Sequence, residues 1–194
     1  MKINAFVLSI FLGLTFTTSY SFSQVMEKSH VIAEPLQYSK NGNFTGCGIN
    51  FRFLEDAKTA SLNYATFSIN FYVDNLNGAL LKTSYSKVII GSGSPQTQKK
   101  KIESSWIRLN SKDPLPIIKT MKGEEDAILS ISDPSKSLSF LYEILMSEPN
   151  IQLGIKESGK SFETIMYGNS VMKDEDKLQV ANCLKELTDK SKVK

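Results

Sequence analysis

Residues Gly154-Ile155-Lys156-Glu157-Ser158-Gly159-Lys160-Ser161 spell G-x-x-x-x-G-K-S, the spacing of a phosphate-binding loop. In such a loop, glycines let backbone N–H groups wrap a phosphate while Lys and the hydroxyl serve phosphate and magnesium. The loop must lead from a buried strand into a substantial helix. Here it leads into Phe162-Glu163-Thr164-Ile165-Met166-Tyr167-Gly168-Asn169, a short β-branched run closed by Gly-Asn. Gly154 and Ser158-Gly159 therefore read as sheet and hairpin residues. Ser84-Tyr85-Ser86-Lys87 fits S-x-x-K, in which a lysine activates a serine nucleophile. That motif opens a helix and needs S-D-N and K-T-G companions. The sequence has neither, and the stretch is strand-like. Gly91-Ser92-Gly93-Ser94 lacks the spacing of a nucleophile elbow.

Other chemistry-bearing residues are sparse. His30 is the only histidine and falls in a segment that reads as an N-terminal arm, a poor mount for a general base. Carboxylate pairs could hydrolyse glycosides. The visible clusters, Glu124-Glu125-Asp126 and Asp174-Glu175-Asp176, read instead as a polar turn and a helix start, without the glycine and spacing of a calcium loop. Lys99-Lys100-Lys101 reads as a solvated loop, since no aromatics interleave it to stack bases. Arg52 and Arg108 are the only arginines, and the net charge of +3 is scattered, so nucleic acid is not an expected partner. Tyr64 and Tyr72 fall on the polar face of a strand and are the candidate interface residues, because exposed tyrosines suit protein contacts.

Two cysteines carry more information. Cys47, Ile49, Phe51 and Phe53 alternate with small or polar neighbours and share one strand face. Val180, Cys183, Leu184 and Leu187 fall on one helical stripe. Each cysteine thus faces inward on its element, and a disulfide joining Cys47 to Cys183 is expected if the chain is exported. Closing so long a loop could contribute about 5 kcal/mol in the chain-entropy description. Two thiols and one distant histidine make no metal set, and no cofactor is expected.

Export itself is read from the start of the chain. Lys2 precedes an apolar run, Ala5 to Phe16, and Ser21-Phe22-Ser23 is a small-x-small cleavage site. The run is short of the about 20 apolar residues that span a bilayer. Residues 1–23 are expected to be a signal peptide, 24–43 an extended arm containing Pro35, and 44–194 a single domain. The mature part should lack a transmembrane segment and lie in the periplasm or be secreted.

The elements that must position these residues follow from periodicity. Tyr64 to Val73 alternates as a half-buried strand, and Leu80 to Ile90 returns as its hairpin partner after Asp74–Gly78. Strands are also expected at Ile102–Leu109, Ala127–Ile131, Ile151–Ile155 and Phe162–Tyr167. Helices are expected over about 134–147, with Asp133 as N-cap and Pro134 in the first turn, and over about 174–189. In the first helix Leu138, Leu141 and Leu145 form a candidate core stripe. The class is α+β: a mainly antiparallel sheet, or a sandwich-like one, with two helices. With no catalytic constellation, the function expected is non-enzymatic binding of another exported or envelope protein, or of a ligand, through a sheet face or edge. An envelope hydrolase using carboxylates or Ser, and a structural part of an envelope assembly, are the alternatives.

Overall fold

The computed structural model describes residues 23–56, 60–91, 94–123 and 126–191. Residues 1–22, and with them nearly all of the expected signal peptide, lie outside this range, as do Glu124 and Glu125. The described residues form an α+β fold with ten strands in one curled, mixed sheet. In chain order these are β1 (Ser23–Lys40), β2 (Asn43–Glu55), β3 (Ser61–Tyr72), β4 (Asn75–Ile89), β5 (Gln96–Lys99), β6 (Ile102–Leu109), β7 (Ile117–Lys122), β8 (Ala127–Ser132), β9 (Asn150–Glu157) and β10 (Phe162–Val171). Helix α1 (Pro134–Met146) lies between β8 and β9, and α2 (Asp174–Ser191) ends the described chain. The spatial order is β6-β9-β10-β1-β2-β3-β4-β8-β7, with β5 also on β4.

The segment expected to be an arm is the longest strand. Residues 23–32 of β1 pair parallel with β10, and residues 29–40 pair antiparallel with β2. Its inward positions Ser29, Val31 and Ala33 are buried, a short alternation that the polar flanks hide in sequence. Pro35 lies beyond Ile32↔Val171, the last pair with β10, where one strand edge carries no ladder and a missing N–H is tolerated. Asn41 and Gly42 turn β1 into β2, with φ of 52° and 77°. The next turn is tighter than expected: Tyr72 pairs directly with Asn75, so Asn77 and Gly78 join β4.

The sheet curls until β6 comes beside β4. Lys100 N donates to Tyr85 O on β4, Ser158 N donates to Lys101 O, and Ser105 Oγ donates to Thr83 Oγ1 at 2.8 Å. The stretch from Gln96 to Leu109 thus hands the ladder from β4 to β9. Its first part was expected to be loop, and β7 was not expected at all. The concave face carries the core: Ile49, Phe51 and Phe53 from β2, Phe67, Ile69 and Phe71 from β3, and Ile151, Leu153 and Ile155 from β9. Both helices add to it. Asp133 caps α1 by accepting from Lys136 N, as expected, but the buried face is Ser137, Phe140, Leu141 and Ile144. Leu138 is exposed, so the stripe is rotated from the Leu138–Leu145 line, with Phe140 and Ile144 taking core positions beside Leu141. On α2, Val180, Cys183 and Leu187 are buried as expected.

The phosphate-loop spelling is the β9–β10 hairpin. Gly159 turns it with φ of 79°, and β10 rather than a helix follows. Gly154 answers a different need. Trp106 lies flat across it, so that an added Cβ would come within 2.0 Å of the indole ring. The ring is fixed there by Nε1 donating to Glu163 Oε1 at 2.7 Å and by the Arg108 guanidinium 5.1 Å from its centroid. Replacing Gly154 by Ala should cost about 1–3 kcal/mol by overpacking. Urea denaturation should show the lowered midpoint, and emission from Trp106, the sole tryptophan, should shift to the red.

Candidate functional site

At one end of the concave face the alternation of core residues runs out into polar ones. Glu27 continues the inward line of Ser29 and Val31, Glu55 that of Phe53, Asn63 that of Ala65, and Tyr85 that of Thr83. Asn63 ties the two carboxylates together. Its backbone N donates to Glu55 Oε2 at 2.7 Å, and its Nδ2 donates to Glu27 Oε1 and Oε2 at 2.9 and 3.1 Å. Loss of hydration pushes the Glu27 carboxyl up to about 6; the Glu55 charge adds to this, and the Asn63 hydrogen bond opposes it. Tyr85 is buried beside them and hydrogen-bonds Thr164; burial first, then the Glu27, Glu157 and Glu55 charges, push its phenol up. A carboxyl that holds its proton into the weakly acidic range, beside a second carboxylate, is equipped for general acid chemistry. Among the described residues no group of three or more His, Cys, Asp or Glu could hold a metal ion.

Glu27 and Glu55 went unnoticed in sequence because 24–43 read as an arm, which placed Glu27 outside the sheet. Recognising Glu27-Ser29-Val31-Ala33 as an alternating line would have set it one step beyond the core.

A second feature lies on the outer face where β1 passes from β10 to β2. Ile32 pairs with Val171 and with Arg52, and His30 pairs with Leu54. Ile32, Val171, His30, Leu54 and Tyr167 line a groove of about 640 Å³. Ile32, Leu54 and Val171 are 42%, 38% and 60% exposed at its surface. His30 is exposed on this strand rather than on a free arm.

The candidate interface tyrosines are not one patch. Tyr64 and Tyr72 sit at opposite ends of β3, both half-buried. Tyr72 stacks on Tyr38 with centroids 5.2 Å apart, and the Tyr38 hydroxyl donates to Asn70 Oδ1 at 2.5 Å. Burial pushes the Tyr64 phenol up, Arg52 pulls it back, and Glu34, ion-paired to Arg52, pushes it up again.

Cys47 and Cys183 do come together. Both are buried free thiols, near each other but not at bonding distance. Each thiol feels the other and the Glu186 carboxylate. Burial, the larger cause, pushes both thiols up. Of the other expected features, Asp174, Glu175 and Asp176 form the first turn of α2, and Lys99 pairs with Asp126 at 3.2 Å. Ser84 and Lys87 lie within β4. No helix among the described residues is long and apolar enough to cross a membrane. Searches of protein-family models, curated proteins and solved structures found no match to this chain.

The Glu27 shift has a sign that can be tested. The folded chain holds its proton above the ordinary value of 4.5, so it binds more protons than the unfolded chain between 4.5 and about 6. Stability should fall as pH rises through that window and level off above it. Because the carboxyl is only partly buried, the change attributable to it should be about 1 kcal/mol. Urea titrations from pH 4 to 7 should show this decline in the wild type, and Glu27→Gln should flatten it.

Proposed function

We propose that the chain is an exported, non-enzymatic binding protein, periplasmic or secreted, whose outer sheet face receives another exported or envelope protein at the β1–β10 seam. In this reading residues 1–23 are removed on export, and Cys47 and Cys183 close into a bridge. The observation that carries it is the seam groove. Ile32, Leu54 and Val171 present apolar surface from three different strands, rimmed by His30, Lys28 and Tyr167. Apolar area of this kind, gathered from three strands and set in a polar rim, is the pattern of a protein contact. Neither nucleic acid nor a cofactor has a part in this reading.

Pull-down with the mature chain from its own envelope fraction should recover one partner in stoichiometric amount. Ile32→Asp with Val171→Asp should weaken that complex by roughly 30-fold or more, as expected for central apolar contacts. Undiminished recovery with the double variant, after its fold is checked by circular dichroism, would count against the seam.

The carboxylate pair supports a second reading, an envelope hydrolase in which Glu27 donates a proton and Glu55 acts as the charged partner. Turnover of a purified envelope polymer that falls roughly 100-fold or more in Glu27→Gln would favour it. Turnover unchanged by that substitution would reject these carboxylates as its source.

A further inference from the structure

The two thiols beneath α2 differ in access. Cys183 lines a pocket of about 290 Å³ together with Gln37, Glu175, Leu178, Gln179, Asn182 and Glu186. Cys47 is not part of that lining and is 1% exposed on the concave face of β2, covered by the helix. A reagent arriving from solvent between β1 and α2 therefore meets the Cys183 sulfur first. The Cys183 thiol also donates to Leu36 O at 4.0 Å, which holds the sulfur against β1.

We propose that this pocket is a site of thiol–disulfide exchange, in which Cys183 is the entry thiol for a small neutral or cationic disulfide and Cys47 is the resolving thiol. The proposal rests on the export reading only for the source of oxidant. In the first step the Cys183 thiolate attacks one sulfur of the incoming disulfide. The reagent's S–S bond breaks, a mixed disulfide forms at Cys183, and the leaving thiolate takes up a proton. In the second step the Cys47 thiolate attacks the Cys183 sulfur and displaces the second reagent thiolate. Two protein thiols are oxidised to one cystine, and one disulfide is reduced to two thiols.

The geometry gives the roles a direction. Cys183 lines the pocket whereas Cys47 lies behind it under α2, so the incoming disulfide reaches Cys183 and Cys47 attacks only once a mixed disulfide has formed there. Glu175 and Glu186 line the pocket, with Glu186 also held by Lys190 at 3.1 Å, so the surroundings favour a cationic reagent over an anionic one.

The test uses the reduced, folded chain and cystamine, a small cationic disulfide, with intact mass and peptide mapping. Cys47→Ser should accumulate one cysteamine on Cys183. Cys183→Ser should label Cys47 at least about tenfold more slowly, because access governs the reaction, and both variants should label at similar rates in denaturant. The wild type should lose two hydrogens and retain no adduct, with the earliest adduct after brief exposure mapping to Cys183. Should the earliest wild-type adduct map to Cys47, or a stable Cys183 adduct persist beside a free Cys47, the assignment is overturned; this arm does not depend on the variants folding. Free thiols in protein recovered from the envelope, alongside the expected order in vitro, would reject the export-linked bridge while upholding the entry order.

Discussion

One strand is shared between two half-sheets, and the remaining architecture depends on that sharing. β1 holds β10 along its first half and β2 along its second, with both edges paired at Val31 and Ile32. Because successive residues of a strand face opposite sides, its register fixes what each half presents. Val31 and Ala33 must enter the core, so Glu27 must sit at the polar end of the concave face. By the same rule His30 and Ile32 must lie outside. The carboxylate pair and the seam groove are thus two consequences of one register, on opposite faces of a single strand.

The parallel pairing of β1 with β10 brings the two ends of the described chain together, and α2 follows directly from β10. That closure sets Cys183 over Cys47. A helix packed on the inner face of β1 and β2 buries Val180, Cys183 and Leu187 against the core and leaves the charged side of α2 to water. Lys190 reaches back over the Phe44 ring at 5.1 Å, adding a contact at the far end of the helix. The thiols are therefore brought together by core packing and need no covalent bond for their placement.

Much of the fold was legible where one periodicity dominates. β3 alternates without interruption, so its span and its partner β4 could be read directly. Asp133 and Pro134 mark the start of α1 because capping chemistry is local. The inward placement of both cysteines followed from the same alternation and helical spacing. What could not be read was decided by distant neighbours. β1 carries few apolar residues, since much of its length is paired on one edge and its outer face is wet. β7 is a short edge strand whose residues are largely exposed, so it lacks a buried alternation. The rotation of α1 that exposes Leu138 reflects which side chains fit β4, a matter of tertiary shape. Glu27 and Asn63 are 36 residues apart and meet only because β1 and β3 flank β2, which no local pattern encodes.

The account stands on β1 being a full member of the sheet, and amide hydrogen exchange over Ser29–Ile32 tests this most directly. These amides should exchange as slowly as those of Ile49–Phe53 in β2, opening only with the sheet itself. Exchange at the rate of an unstructured peptide, with β2 still protected, would contradict it and would remove the basis for both the carboxylate pair and the seam.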